Sequence, residues 1–395
     1  MIAKQDILDR AIEWQLRPDV VEKDYVLGWL LAGLASTSLA GLWIFKGGTC
    51  IKKCYFETYR FSEDLDFSLL PEAPYTADAL TEGLRELAAA VAGLSGLAFP
   101  EDFVEVRERR NKQGQQTFEG KLGYRGPLVF PGSPKIRFDF TQHEPIVDTP
   151  ASRPVFHPYD DGLPEGVVVQ AYSFPELLAE KTRALVERSR PRDLYDVVHL
   201  IENAHAGFDL DVVRRLFEKK CQSKGLAVPT SGLVVVNVRA DAELRSEWGS
   251  MLGHQLPVLP DLDALLERLP AILSWLEVGA PEPSFRHLPR VPSAEAVHAT
   301  GPGIRYWGQN RPIEAIRFAG TNRLMISFVY HGSHRVVEPY SIRQAKTGNV
   351  LLYGWEVASN HIKAFKLEEM QNVSTTDQTF APRYRVDLSP GSGAH

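Results

Sequence analysis

The stretch that most constrains this chain is residues 45–70, FKGGTCIKKCYFETYRFSEDLDFSLL. The apolar run from Leu42 to Phe45 has the length of a strand. Gly47 and Gly48 interrupt it where backbone can turn at positive φ or approach a ligand closely. Thr49 is an N-cap candidate for a helix running to about Tyr59. Leu65, Phe67 and Leu69 then alternate with Asp64, Asp66 and Ser68. Period two places Asp64 and Asp66 on one face of a second strand.

Two carboxylates on one strand face repel each other unless a cation sits between them. Mg²⁺ binds carboxylate oxygens and shares its coordination with substrate phosphates. The N–H groups of a glycine turn and a helix N-terminus can receive those phosphates. A phosphate cradle joined to a D-x-D platform points to nucleotidyl transfer from an NTP, with Asp64 and Asp66 as metal ligands. The structural alternative is a surface D-x-D beside an ordinary glycine turn. The preceding Arg60-Phe61-Ser62 favours the functional reading.

The chain resembles the AbiEii/AbiGii toxin family, the nucleotidyltransferase-like toxins of type IV toxin–antitoxin systems. Three ordered blocks carry the resemblance, which spans roughly residues 15–275. The first is Lys46-Gly47-Gly48-Thr49 with the run from Arg60 to Phe67, RFSEDLDF. The second is Leu178-Ala179-Glu180-Lys181 with Arg183-Ala184-Leu185 and Arg188, and the third is Arg192-Asp193-Leu194-Tyr195-Asp196. The resemblance implies that the nucleotide meets Lys46, Gly47, Gly48, Thr49, Ser62, Lys181 and Arg188. It also implies that Lys181 touches the triphosphate, where an ammonium offsets charge growing on departing pyrophosphate. Asp196 becomes a catalytic or positioning carboxylate, supported by Arg192 and Asp193. Aspartates in a helical first turn, favoured by the helix dipole, are the structural alternative there.

The remaining landmarks follow in chain order. With 395 residues, two or three domains are expected. The formal charge of −6 means that a nucleic-acid contact needs a local basic patch. No apolar run reaches membrane-spanning length, and the N-terminus lacks a signal-peptide core, so a cytoplasmic protein is expected. Cys50, Cys54 and Cys221 read as small buried thiols. Helices are expected over residues 5–17 and 20–36, with Glu22-Lys23-Asp24-Tyr25 a solvated face packing beside the glycine turn. A helix over Thr76–Leu94 and strands over 103–110 and 117–124 come next. Arg107, Arg109, Arg110 and Lys112 make that hairpin either a site for an acceptor polynucleotide or a solvated surface. Lys135 to Phe140, KIRFDF, alternates as a third strand. Nucleotidyltransferase folds often hold a third carboxylate on such a strand to activate the attacking hydroxyl. Asp139 is that candidate, with a structural salt bridge as the alternative. Ser173-Phe174-Pro175-Glu176 opens a helix by a capping box.

Residues 205–277 read as helical, with Leu233 to Val236 as a strand-like insert. The proline-rich span 279–303 reads as a linker. Residues 304–373 then read as a small β domain of short runs, among them Ala315-Ile316, with Ser374 onward as a frayed tail. That domain resembles the WYL family of bacterial regulators through Tyr330, the run from Arg335 to Tyr340, Leu352-Tyr353-Gly354-Trp355 and the run from Ile362 to Leu367. Leu-Tyr-Gly-Trp stands where the family has its W-Y-L tripeptide. The resemblance implies nucleotide or single-strand binding through Arg335, Tyr353, Lys363 and Lys366.

These features together lead to an α+β chain. Its parts are a nucleotidyltransferase-fold mixed sheet over 1–205, a helical region over 206–278, the linker, the WYL-like β domain over 304–373, and a tail over 374–395. The expected activity is NTP-dependent transfer with Mg²⁺ or Mn²⁺. By resemblance, the acceptor is an RNA such as the 3′ end of tRNA, the partner a cognate antitoxin that is a transcriptional regulator, and the setting phage defence. A fragment ending near Gly279 is expected to keep the transferase site. The alternatives are a non-catalytic nucleotide or nucleic-acid sensor, or transfer to a protein or small molecule.

Overall fold

The computed structural model describes residues 1–111, 114–129, 132, 134–204, 208–292, 297–299, 312–345 and 348–388. Lys112, expected at the acceptor site, lies outside them, as do 300–311 of the linker and β-domain spans and 389–395 of the tail. Two compact units are formed. The first contains Met1–Ala179 and Leu216–Leu226; the second contains Glu180–Arg215 and the chain from Ala227 onward.

The first unit opens with helices α1 (Lys4–Glu13) and α2 (Pro18–Ala35). Strand β1 (Trp43–Lys46), the short helix α3 (Gly47–Cys50) and strand β2 (Asp64–Leu69) follow. Then come α4 (Ala77–Ser95), β3 (Val104–Arg110), β4 (Gln116–Gly123), β5 (Lys135–Thr141), β6 (Ala151–Pro154), β7 (Val168–Ala171) and the start of α5 (Phe174–Arg188). The sheet is mixed and seven-stranded, in the order β3-β4-β5-β2-β1-β7-β6. Strand β2 runs antiparallel to β1 and parallel to β5.

Alternation decides the two faces. Phe118 pairs with Phe140, Phe140 with Phe67, and Phe67 with Phe45, so four phenylalanines form one rank across four strands. All four are buried. Helix α4 covers this side: a Cβ on Gly120 would lie 3.0 Å from Leu84 Cδ1, so the glycine admits the helix. The opposite face is left to the polar half of the alternation.

The second unit holds α6 (Pro191–Asn203), the first part of α7 (Leu210–Ser223), α8 (Ser231–Ala240), α9 (Ala242–Leu252) and α10 (Leu262–Ile272). Strand β8 (Val297–Ala299), α11 (Ile313–Thr321), β9 (Leu324–Tyr330), β10 (Ser333–Ala345), β11 (Val350–Glu356), β12 (His361–Lys366) and β13 (Met370–Thr379) follow. The strands form an antiparallel sheet in the order β12-β11-β10-β9-β13, with β8 added on β10. Helix α6 meets the chain at α11: Tyr195 Oη donates to Asn322 Oδ1 at 2.8 Å, and Asn203 Nδ2 to the Thr321 carbonyl at 3.0 Å.

Several expectations are corrected. Leu233 to Val236 lies in helix α8, not in a strand. Thr230 Oγ1 caps the helix at Leu233 N, and Val234, Val235 and Val238 share its buried side, so packing overrides β propensity. Ala315-Ile316 is likewise helical, within α11. Glu22 to Tyr25 is not solvated: α2 is buried nearly all round, and Glu22, Asp24 and Tyr25 are inaccessible. Asp24 instead meets Lys53 Nζ at 2.7 Å and accepts from Tyr159 Oη at 3.0 Å. Burial alone would raise the Asp24 carboxyl, but Lys53, Lys52 and these hydrogen bonds hold it below its ordinary value. Ser374–Thr379, expected to fray, completes β13, and Phe380, Val386 and Leu388 are buried beyond it. Three widely spaced apolar anchors do not make a sequence period. Within the span read as a linker, Val297–Ala299 is a paired strand and Val291 is buried.

Candidate active site

The polar face of the first sheet is built by register. Lys46 pairs with Asp66, Asp66 with Asp139, and Asp139 with Glu119. Directly paired residues project to the same side, about 4.8 Å apart. The rank Lys46–Asp66–Asp139–Glu119 therefore crosses four strands on the side opposite the phenylalanines. Two residues along, Asp64 pairs with Arg137, and Arg137 with Lys121. Arg137 Nε lies 4.0 Å from Asp64 Oδ1, and Lys121 Nζ 3.1 Å from Glu119 Oε1.

Three aspartates and a glutamate thus meet on this face, with Lys46, Arg137 and Lys121 beside them. The effect falls on Asp139, whose carboxyl is pushed up to about 7. Asp139 is exposed on the sheet face; desolvation by the atoms packed around it is the largest cause of the upward push, followed by Asp66, Asp64 and Glu119, with Arg137 opposing. A carboxyl in that state holds or takes a proton near neutrality. Crowding of this kind is what a divalent cation relieves. Among the described residues no three such side chains converge closely enough to hold an ion alone. Mg²⁺ at phosphoryl-transfer sites takes only one or two carboxylates and completes its shell with phosphates and water, so this donor set fits.

The turn after β1 abuts the rank. Gly47 has φ +80°, and a Cβ there would lie 2.0 Å from Asp66 Oδ2. A Cβ on Gly48 would lie 2.6 Å from Arg60 Nη2 and 3.0 Å from Ser62 Oγ. Gly47 is therefore favoured by both its φ and its close approach to Asp66, and a side chain at Gly48 would have to displace the Arg60 guanidinium, since Arg60-Phe61-Ser62 folds back over the turn. Thr49 is not the N-cap: the helix starts at Gly47, and Thr49 Oγ1 donates to the Asp64 carbonyl, tying the turn to β2. After α3 the helix widens into a π-turn over Ile51–Tyr55, which seats Lys53 against Asp24. Lys46, expected on the nucleotide, is engaged with Glu144, whose other oxygen lies 3.8 Å from Lys224 Nζ.

Within the second unit, Lys181 Nζ sits 2.7 Å from Asp196 Oδ2, and Asp196 is fully buried. Arg188 reaches Asp193 through two bonds, Nε to Oδ2 at 2.7 Å and Nη2 to Oδ1 at 2.9 Å. The i, i+3 aspartates of α6 thus each hold one cation of α5. Ser173 Oγ does cap Glu176 N, but the Glu176 carboxylate turns to the backbone N–H groups of Val147 and Asp148 and to Lys220.

The other expected contacts are exposed or already paired. Arg107, Arg109 and Arg110 are exposed, each beside a glutamate of its own hairpin. In the C-terminal sheet, Arg335 and Lys363 both bind the buried Glu356, and Lys366 binds Glu369. Tyr353 is buried beneath the Arg343 guanidinium. Glu119, Arg137 and Glu144 were missed as site residues. Glu119 and Arg137 each stand on the polar side of an alternating strand, but only strand order aligns them with Asp66 and Asp64.

A family model described as "Nucleotidyl transferase AbiEii toxin, Type IV TA system" matches residues 29–273, more than half of the chain. No curated protein matches. Among solved structures, MenT4, a nucleotidyltransferase toxin from Mycobacterium tuberculosis H37Rv, is similar at 23% identity with a TM-score of 0.45. That similarity covers 72% of this chain and 94% of the MenT4 chain.

Proposed function

The chain belongs to the AbiEii nucleotidyltransferase toxin family of type IV toxin–antitoxin systems, and from that premise we propose that its polar sheet face transfers a nucleotide from an NTP to an RNA hydroxyl. The 3′ end of tRNA is the acceptor proposed. The observation that carries the reading is the carboxylate group Asp64, Asp66 and Asp139 lying against the Gly47–Gly48 turn. Asp64 and Asp66 would hold a divalent cation, Mg²⁺ or Mn²⁺, together with the triphosphate. When bound, the cation stabilises charge on the attacking and leaving oxygens. Gly47, Gly48 and Ser62 present N–H and hydroxyl donors to the phosphates. Asp139 accepts the proton of the attacking hydroxyl as its oxygen bonds to the α-phosphorus, the α–β bridge breaks, and pyrophosphate leaves. The raised affinity of Asp139 for a proton supports this role.

Lys181 is the lysine proposed to meet the triphosphate, with Asp196 as the positioning residue that holds its ammonium. Family membership implies a cognate antitoxin as partner. We expect that antitoxin to be a transcriptional regulator. No helix among the described residues is long and apolar enough to cross a membrane. The test is incubation of the full chain with each α-labelled NTP and total RNA, with and without EDTA. Metal-dependent label on RNA is the expected result. Label on protein alone, or none with any NTP, overturns the reading.

A further inference from the structure

The second unit contains a small, partly open pocket whose walls include Glu202, Phe285, Arg286, Arg323, Tyr384 and Arg385. Its charge is unusual. Arg323 is buried, yet among the described residues its hydrogen-bond acceptors are all neutral: the Glu202 and Gly320 carbonyls at 2.8 Å and Asn203 Oδ1 at 3.5 Å. It follows the C-cap Asn322 of α11 with φ +58°, the left-handed conformation in which helices commonly end.

The neighbouring carboxylates are committed elsewhere. Glu202 takes Arg268 Nε at 2.8 Å, and Glu282 takes Arg286 Nη1 at 3.1 Å. Arg286 is 3% exposed, and its Nε is buried with no partner among the described residues. Arg385 has Asp387 as its compensating charge and Arg290 as an opposing one. Of the charged residues that line the pocket, three are arginines, Arg286, Arg323 and Arg385, and one is a carboxylate, Glu202. Glu202 attracts Arg323 but is shared with Arg268, and an entering anion would offset the repulsion among the crowded guanidiniums.

We propose that this pocket binds the phosphate group of a small ligand, a nucleotide or free phosphate. Guanidinium forks match phosphate oxygens bidentately, which makes arginine rather than lysine suited to the site. Tyr384, half-exposed at the rim, offers an aromatic face to a base, its ring edge-on to Tyr340 at 5.4 Å. Its lining residues belong to the second unit, whereas Asp64 and Asp66 belong to the first, and the proposal does not depend on the transfer reaction proposed for that face.

The test is isothermal titration of the full-length protein, in EDTA, with inorganic phosphate and with AMP. One saturable site per chain is expected, weakening as salt rises. Arg385→Ala and Arg286→Gln should each weaken it at least tenfold, whereas Asp66→Ala should leave it unchanged. Tighter AMP than phosphate assigns a nucleotide, and equal affinities assign the phosphate group alone. No saturation up to about 10 mM of either ligand, or wild-type binding by both arginine variants, overturns the proposal. Arg385→Ala guards against a folding artefact, because that side chain is less deeply buried than Arg323.

Discussion

Replacing Gly47 by Ala separates two costs that the turn imposes. The first is backbone: an L residue at φ +80° costs about 1–2 kcal/mol. The second is steric: the new Cβ falls 2.0 Å from Asp66 Oδ2, 2.8 Å from Cγ and 3.0 Å from Cβ. The carboxylate must rotate away, and an off-rotamer χ costs about 0.5–1.5 kcal/mol. Gly47→Ala should therefore destabilise the first unit by about 2–3 kcal/mol. In an Asp66→Ala background the carboxylate is gone and only the backbone cost with a tight Cβ contact remains. The same substitution should then cost about 1 kcal/mol less. Urea denaturation of wild type, both single variants and the double variant, all in EDTA, measures this coupling. Nucleotide transfer supplies the second readout: a displacement of about 1 Å at a reacting group costs roughly 100-fold, so Gly47→Ala should lose at least that while remaining folded. Equal destabilisation in both backgrounds would refute the claim that Gly47 exists to admit Asp66.

Other consequences can be measured directly. Asp64→Ala or Asp66→Ala should abolish transfer in soluble protein; near-normal turnover in either would exclude the metal assignment. Lys181→Ala should sharply lower kcat/KM for the NTP, and Lys181→Arg should not restore it, because a planar guanidinium does not replace a compact ammonium; unchanged kinetics would make it a structural lysine. Asp24→Asn should destabilise the fold by about 3–5 kcal/mol by leaving Lys53 unpaired in the interior. Since the folded-state Asp24 carboxyl lies below its ordinary value, its stabilisation is present above about pH 4 and lost as pH falls through the lower folded value. Acid unfolding should consequently begin at the same pH in wild type and Asp24→Asn only if the pair is idle. Truncation near Gly279 removes Asn322 and Thr321, the partners of Tyr195 and Asn203, so helix α6 should lose protection from hydrogen exchange; unchanged protection would support an autonomous fragment.

Local signals were the readable ones. The alternation through Asp64 and Asp66, the paired glycines and the cap at Ser173 each depend on residues a few positions apart, and each produces its element. Asp139 could be placed on a strand, but its register with Asp66 depends on β5 inserting between β2 and β4. The same holds for Glu119. Lys46 read as a phosphate ligand from its position before the glycines, while its engagement with Glu144 joins residues 98 positions apart. Charges gave the least reliable reading. Glu22 and Asp24 look solvated until Tyr124, Tyr159 and Lys53 arrive from distant segments to engage them. Leu233 to Val236 shows the converse, a β-branched run held helical by its cap and its buried side.

The order in which the chain leaves the ribosome matters for the first unit. Its sequence is interrupted: Ala179 is followed by residues of the other unit until Leu216. The missing piece, Leu216–Leu226, supplies Phe217 and Cys221, both inaccessible, and Lys220, whose ammonium lies 2.7 Å from the buried Glu176. A nascent chain ending at Ala179 therefore carries the complete aspartate face but leaves Glu176 without its cation. The Glu176 ion pair can therefore form only once Lys220 emerges, and no single cut between Ala179 and Leu226 leaves that unit whole.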